Sequence, residues 1–87
     1  MKILVFGTNA CPDCVEAIKR LDEMNADYIY LEFSNNMPNL KRFLKLRDTE
    51  ALFDPVKEQG QVGVPCFKLE DGTLTLDLQE VLEKVGR

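Results

Sequence analysis

Apolar positions along the 87-residue chain change period several times, and each change marks an element. Ile3 to Phe6 is a continuous apolar run behind Lys2, rich in β-branched and aromatic side chains and bounded by Gly7. It predicts a strand over Lys2–Phe6 that is covered on both faces. Helical spacing then takes over: Cys14, Ala17, Ile18, Leu21 and Met24 share one face, while Glu16, Lys19, Arg20 and Glu23 point elsewhere. Proline suits the first helical position, where its missing N–H would be unpaired anyway. This helix is therefore predicted to start at Pro12, with Cys11 at its cap, and to end near Asn25. Tyr28–Phe33, YIYLEF, predicts a second strand, and its spacing from the first makes a βαβ unit of about 30 residues. The right-handed crossover that nearly all such units adopt sets the two strands parallel.

In the second half, Ser34, Asn35 and Asn36 offer caps, and Leu40, Phe43 and Leu44 recur at helical spacing, predicting a helix over Pro38–Asp48. TEALFDPVKEQG is helical in pattern too, but Pro55 should break it into two short pieces or a kink, with Gly60 closing it. Cys66–Glu70 and Thr73–Leu76 read as strands joined at Asp71-Gly72, a strong hairpin signal. Asp77 with Glu80 has capping-box form ahead of Leu78, Val81, Leu82 and Val85, and Gly86 lies past the helix end. The order β, α, β, α, β, β, α, without repeat or linker, predicts one α/β domain over residues 1–87, with helices on both faces of a small four-stranded mixed sheet.

Charge narrows the partners. Fifteen acidic against 11 basic residues give a net charge of -4, which carries no electrostatic footprint for nucleic acid or an anionic membrane. The one basic run, KRFLKLR over Lys41–Arg47, reads as a solvated helix face. The first apolar run is too short for a signal-peptide core or a membrane span, so a soluble, cytoplasmic protein is expected; it is also expected to be a monomer. Thiols there are mostly reduced at rest, which makes a static disulfide a poor account of Cys11-Pro12-Asp13-Cys14.

Residues three apart on a first helical turn are neighbours, close enough for a disulfide to open and close without rebuilding the fold. The helix N-terminus favours a thiolate on Cys11 far more than on Cys14, which shares a face with Ile18 and Leu21 and should be buried. One thiol attacks and the other resolves. Asp13 opposes this, since its carboxylate repels a thiolate at Cys11. Metal binding is the rival chemistry, yet the chain has no histidine and only one further cysteine, Cys66, so no metal ligand set is assigned. A cluster shared across a dimer, with outside thiols, stays open, as does a role in binding alone.

The strand KILVF, the motif CPDC, the βαβ unit and then VGVPCF before a hairpin and a last helix resemble a glutaredoxin of the dithiol type, within the thioredoxin-like family. CPDC is similar to the family's CPYC, and Gly63-Val64-Pro65 to its Thr-Val-Pro signature. The resemblance covers essentially the whole chain. It implies a thioredoxin-like fold and a thiol–disulfide oxidoreductase that reduces protein or glutathione mixed disulfides through Cys11 and Cys14, with no bound cofactor, glutathione as a co-substrate, and a reductant or reductase to reset it. It also implies a cis Val64–Pro65 bond facing Cys11, with the Val64 backbone open to an extended substrate, and Asp77 receiving the glutamyl amine of glutathione. From sequence alone Pro65 could instead be a trans strand-entry proline. Arg42 or Arg47 is the candidate for the glycine carboxylate. The glutathione site is divergent: FGTNA before Cys11 lacks Lys and Arg, and TLTLDLQE lacks the family's Gly-Gly. Cys66 departs as well, and reads either as a small buried hydrophobe or as a third thiol able to exchange with the pair. The alternative function is a thioredoxin-fold module that holds a metal, an iron–sulfur cluster or a partner peptide without turnover.

Overall fold

In the computed structural model, which describes residues 2–86, β1 (Lys2–Gly7) lies inside a mixed sheet. It pairs parallel with β2 (Asp27–Glu32) and antiparallel with β3 (Cys66–Lys68), which pairs antiparallel with β4 (Leu74–Thr75). The strand order is β2-β1-β3-β4. Helix α1 (Pro12–Glu23) connects β1 to β2, and α2 (Met37–Thr49) follows β2. A 3-10 turn (Ala51–Phe53) runs into the short α3 (Asp54–Glu58), and α4 (Leu78–Val85) ends the fold. This is the α/β arrangement that the chain pattern predicts and the thioredoxin-like fold that the resemblance implies.

The alternation of β1 explains its unbroken apolar run. Ile3 and Val5 face one side, where α1 contributes Ala17 and Leu21 and α4 contributes Val81 and Leu82, together with Phe67 and Leu69. Leu4 and Phe6 face the other, against Phe43 of α2, Phe53 and Cys66. With both faces covered, none of the positions from Ile3 to Phe6 is free to be polar. On the second face Phe43 sits among aromatic rings, 5.0 Å from Phe33, 5.8 Å from Phe53 and 6.3 Å from Phe6 by centroids. Burying each such side chain stabilises the fold by about 1.5–3 kcal/mol.

The expectation at Pro55 holds in its first form, two short pieces: a 3-10 turn and then a short helix that holds Pro55 in its first turn, where no N–H is required. Other local expectations are corrected. The Asp71-Gly72 hairpin is not a two-residue turn. Gly72 N–H donates to Leu69 O at 2.9 Å and Leu69 N–H to Thr73 O at 2.8 Å, so Glu70, Asp71 and Gly72 all lie in the loop. Within that loop only Gly72 has positive φ, whereas a two-residue type I′ turn needs it at both central positions, and the paired strands are shorter than the predicted Cys66–Glu70 and Thr73–Leu76. Asp77 caps α4 by accepting Gln79 N–H at 3.0 Å, but Glu80 does not close a capping box. Its carboxylate takes the hydroxyl of buried Thr75 at 3.0 Å, and that oxygen accepts Asp77 N–H at 3.1 Å. Helix α1 stops at Glu23, Asn25 turns left-handed at φ 53, and Met24 is left 37% exposed rather than on the buried face. No helix among the described residues is long and apolar enough to cross a membrane.

Candidate active site

Cys11 stands where the β1–α1 loop becomes helix. Its carbonyl accepts the N–H groups of Cys14 at 3.0 Å and Val15 at 3.2 Å, and its own N–H donates to Thr8 O at 3.0 Å. Pro12 occupies the first helical turn beside it. The three cysteines are unbridged, with Cys11 partly exposed and Cys14 wholly buried. Burial pushes the Cys14 thiol up to about 12; a Thr8 backbone hydrogen bond opposes this, while the Cys11 thiol and the charge of exposed Asp13 add to it. Cys14 is therefore a neutral thiol near pH 7.

The loop carrying Cys11 is tied to β2 by residues that the sequence pattern did not single out. Glu32 accepts Asn9 N–H at 2.9 Å, Ser34 N–H at 3.0 Å and the Ser34 hydroxyl at 2.6 Å. These bonds, the Ser34 hydroxyl foremost, hold its carboxyl below the usual carboxylate range. The Tyr30 hydroxyl donates to Asn9 Oδ1 at 3.0 Å. Burial, followed by the charges of Cys14, Glu32 and Cys11, pushes the Tyr30 phenol up to about 12. The signal available in sequence was a strand, YIYLEF, with a polar residue at every second inward or terminal position.

Beside Cys11 opens a cleft of about 610 Å³, bounded by Cys11, Asp13, Phe33, Val56, Val62 and Val64 among others. Among its described lining residues Asp13 is the only charged one. The Val64–Pro65 bond is cis, and among the described residues no hydrogen bond reaches the Val64 backbone. A smaller hollow of about 250 Å³ shares Asp13, Val64 and Leu76 with the cleft and adds Glu16, Pro65 and Leu78. Exposed Asp77 falls between Leu76 and Leu78 without lining either space. Gly63, at φ +92, passes so close to Phe53 that a Cβ would stand 2.8 Å from its ring, so only glycine serves there.

The two arginines named for a glutathione carboxylate both have partners within the chain. Arg47 donates from Nε to Val62 O at 2.8 Å and from its terminal nitrogen to Gln61 O at 2.7 Å, pinning the cleft wall. It is therefore more than a solvated face. Arg42 lies 5.7 Å over the Phe6 ring. Cys66 pairs across the sheet with Phe6 and belongs to its cluster, on the face opposite α1 and Cys14. It is wholly buried, and burial pushes its thiol up to about 12. That placement fits a small hydrophobe, and reaching Cys14 would mean crossing the sheet. Among the described residues no three Cys, Asp or Glu side chains gather to hold a metal ion.

The chain is 38% identical over 80 residues to an uncharacterized protein of Haemophilus influenzae, covering 92% of this chain and 93% of that one. Its fold is similar to the crystal structure of the glutaredoxin from Methanosarcina mazei Go1, with a TM-score of 0.63 at 20% identity over 99% of this chain and 79% of that one. The glutaredoxin family model matches residues 3–68, a span from the first strand through the cysteine pair to β3, and the chain belongs to the glutaredoxin family.

Proposed function

We propose that the protein is a thiol–disulfide oxidoreductase, acting as a cytoplasmic monomer on disulfide-bearing proteins and glutathione adducts. The observation that carries this reading is the pairing of a partly exposed Cys11 at the N-terminus of α1 with a buried, neutral Cys14 one turn behind it. The Cys11 thiolate attacks one sulfur of the substrate disulfide, forming a mixed disulfide and releasing the other sulfur as a thiolate that takes a proton from water. Cys14 then attacks Cys11, its proton passes to the departing thiolate, and the Cys11–Cys14 bond forms. Two protein thiols are oxidised and one substrate disulfide is reduced. An external thiol or a protein reductase restores the pair. An extended substrate would lie along Val64, whose free backbone groups offer the pairing of an added strand.

The cleft also bears on the choice of substrate. Without Lys or Arg among its described lining residues, it has no cation to meet the carboxylates of glutathione. A charge-assisted hydrogen bond is worth about 1.5–3 kcal/mol, so glutathione disulfide should react about tenfold or more slowly than a disulfide peptide of neutral sequence. Stopped-flow oxidation of the reduced protein by hydroxyethyl disulfide, glutathione disulfide and such a peptide tests both statements. Reaction with the neutral compounds at a useful rate supports the oxidoreductase reading, and silence with all three contradicts it.

A further inference from the structure

Gly7 ends the inward-facing row of β1. Ile3 and Val5 fill the space beneath α1, and the same alternation turns position 7 toward that helix. A third large apolar side chain would suit the pattern, yet the residue is glycine. Its backbone does not demand one, because its φ lies outside the left-handed region. The space explains it: a Cβ on Gly7 would stand 2.8 Å from the sulfur of Cys14, 3.3 Å from Cys14 Cβ and 3.5 Å from Tyr30 Cε1. Sulfur and carbon cannot approach to 2.8 Å without one of them moving, and Cys14 has no room to retreat, being fully buried.

We propose that Gly7 and Tyr30 form a seat for the Cys14 thiol and so act as positioning residues for the second chemical step. Gly7 supplies the floor by lacking a side chain. Tyr30 bounds the same space, its Cε1 3.5 Å from where a Gly7 Cβ would stand, and its hydroxyl bond to Asn9 fixes the ring to the same loop that carries Cys11. Both cysteines are thereby referred to one rigid frame at the junction of β1 and β2. The seat leaves the first step to Cys11 and governs how well Cys14 Sγ aligns with the Cys11–substrate bond that it must break. This inference rests on the oxidoreductase reading for its catalytic consequence, while the packing itself does not depend on it.

Gly7→Ala tests it. In rapid-quench experiments with hydroxyethyl disulfide, the rate of resolution relative to the rate of mixed-disulfide formation should fall by about tenfold to a hundredfold, as expected when a reacting group is displaced by about 1 Å. The Cys11 adduct then accumulates in a protein that still has Cys14, which a general loss of stability would not produce. An unchanged ratio overturns the seat. The second measurement is a stability cycle, in which Gly7→Ala is made in the parent and in Cys14→Ala. The cost should be smaller once the sulfur is gone, and an equal cost, or loss of folding in both backgrounds, overturns the seat. If Cys14→Ser forms no adduct at all, the oxidoreductase reading has failed, and the cycle still decides the packing.

Discussion

Cys11→Ser is expected to abolish turnover while leaving the protein as stable as before, or slightly more so. Removing a covalent nucleophile lowers rates by about a thousandfold or more, and a serine hydroxyl, far less acidic and less nucleophilic toward sulfur, does not replace a thiolate. The fold, by contrast, loses nothing. Cys11 is the N-cap of α1, yet its side chain makes no capping hydrogen bond, and serine is among the best residues at that position. A serine oxygen accepting an N–H of the first turn would add about 0.5–1 kcal/mol. Activity with a disulfide substrate and a urea melt of the same preparation check both halves. A variant that keeps substantial activity would move the chemistry away from Cys11. A loss of stability would mean that the thiol has a structural role.

Phe43→Ala is expected to have the largest effect on stability. Phe43 is 1% exposed and touches the rings of Phe6, Phe33 and Phe53, so its removal leaves a hole at the centre of the second core cluster. Large-to-small changes of this kind cost about 3–5 kcal/mol. Small domains hold only about 5–15 kcal/mol in total, so the variant should sit close to the edge of folding. The cleft should suffer as well, because Phe33, stacked on Phe43 at 5.0 Å, is part of its lining. Equilibrium urea denaturation reads the cost directly, and a loss below about 1 kcal/mol would contradict the assigned packing.

The sequence pattern carried the element order and the position of the cysteine pair because those depend on local period and on residues with strong conformational preferences. Pro12 after Cys11 marks a helix start whatever else surrounds it. The apolar run of β1 already required two covered faces. What escaped depends on which groups meet in space. Nothing near Arg47 in the chain indicates that its guanidinium reaches the carbonyls of Gln61 and Val62. Asp77 and Glu80 have the spacing of a capping box, but Thr75, two residues upstream, competes for the carboxylate and wins. Asp-Gly marked the hairpin correctly and its type wrongly, since the same dipeptide ends a longer turn. Gly7 looked like a strand terminator, and the thiol that occupies its missing side chain is only visible once α1 is laid across the sheet. The same placement separates Cys66 from the dithiol, a question the linear sequence left open.

The most direct test of the central claim is to react the reduced parent and its Cys14→Ser variant with hydroxyethyl disulfide and read each product by intact-mass and peptide mass spectrometry. The two-step mechanism predicts a stable adduct on Cys11 in the variant and an adduct-free Cys11–Cys14 disulfide in the parent, with Cys66 a free thiol in both. Adduct on Cys66, a disulfide joining Cys66 to either partner, or a parent that retains the adduct as the variant does would contradict it.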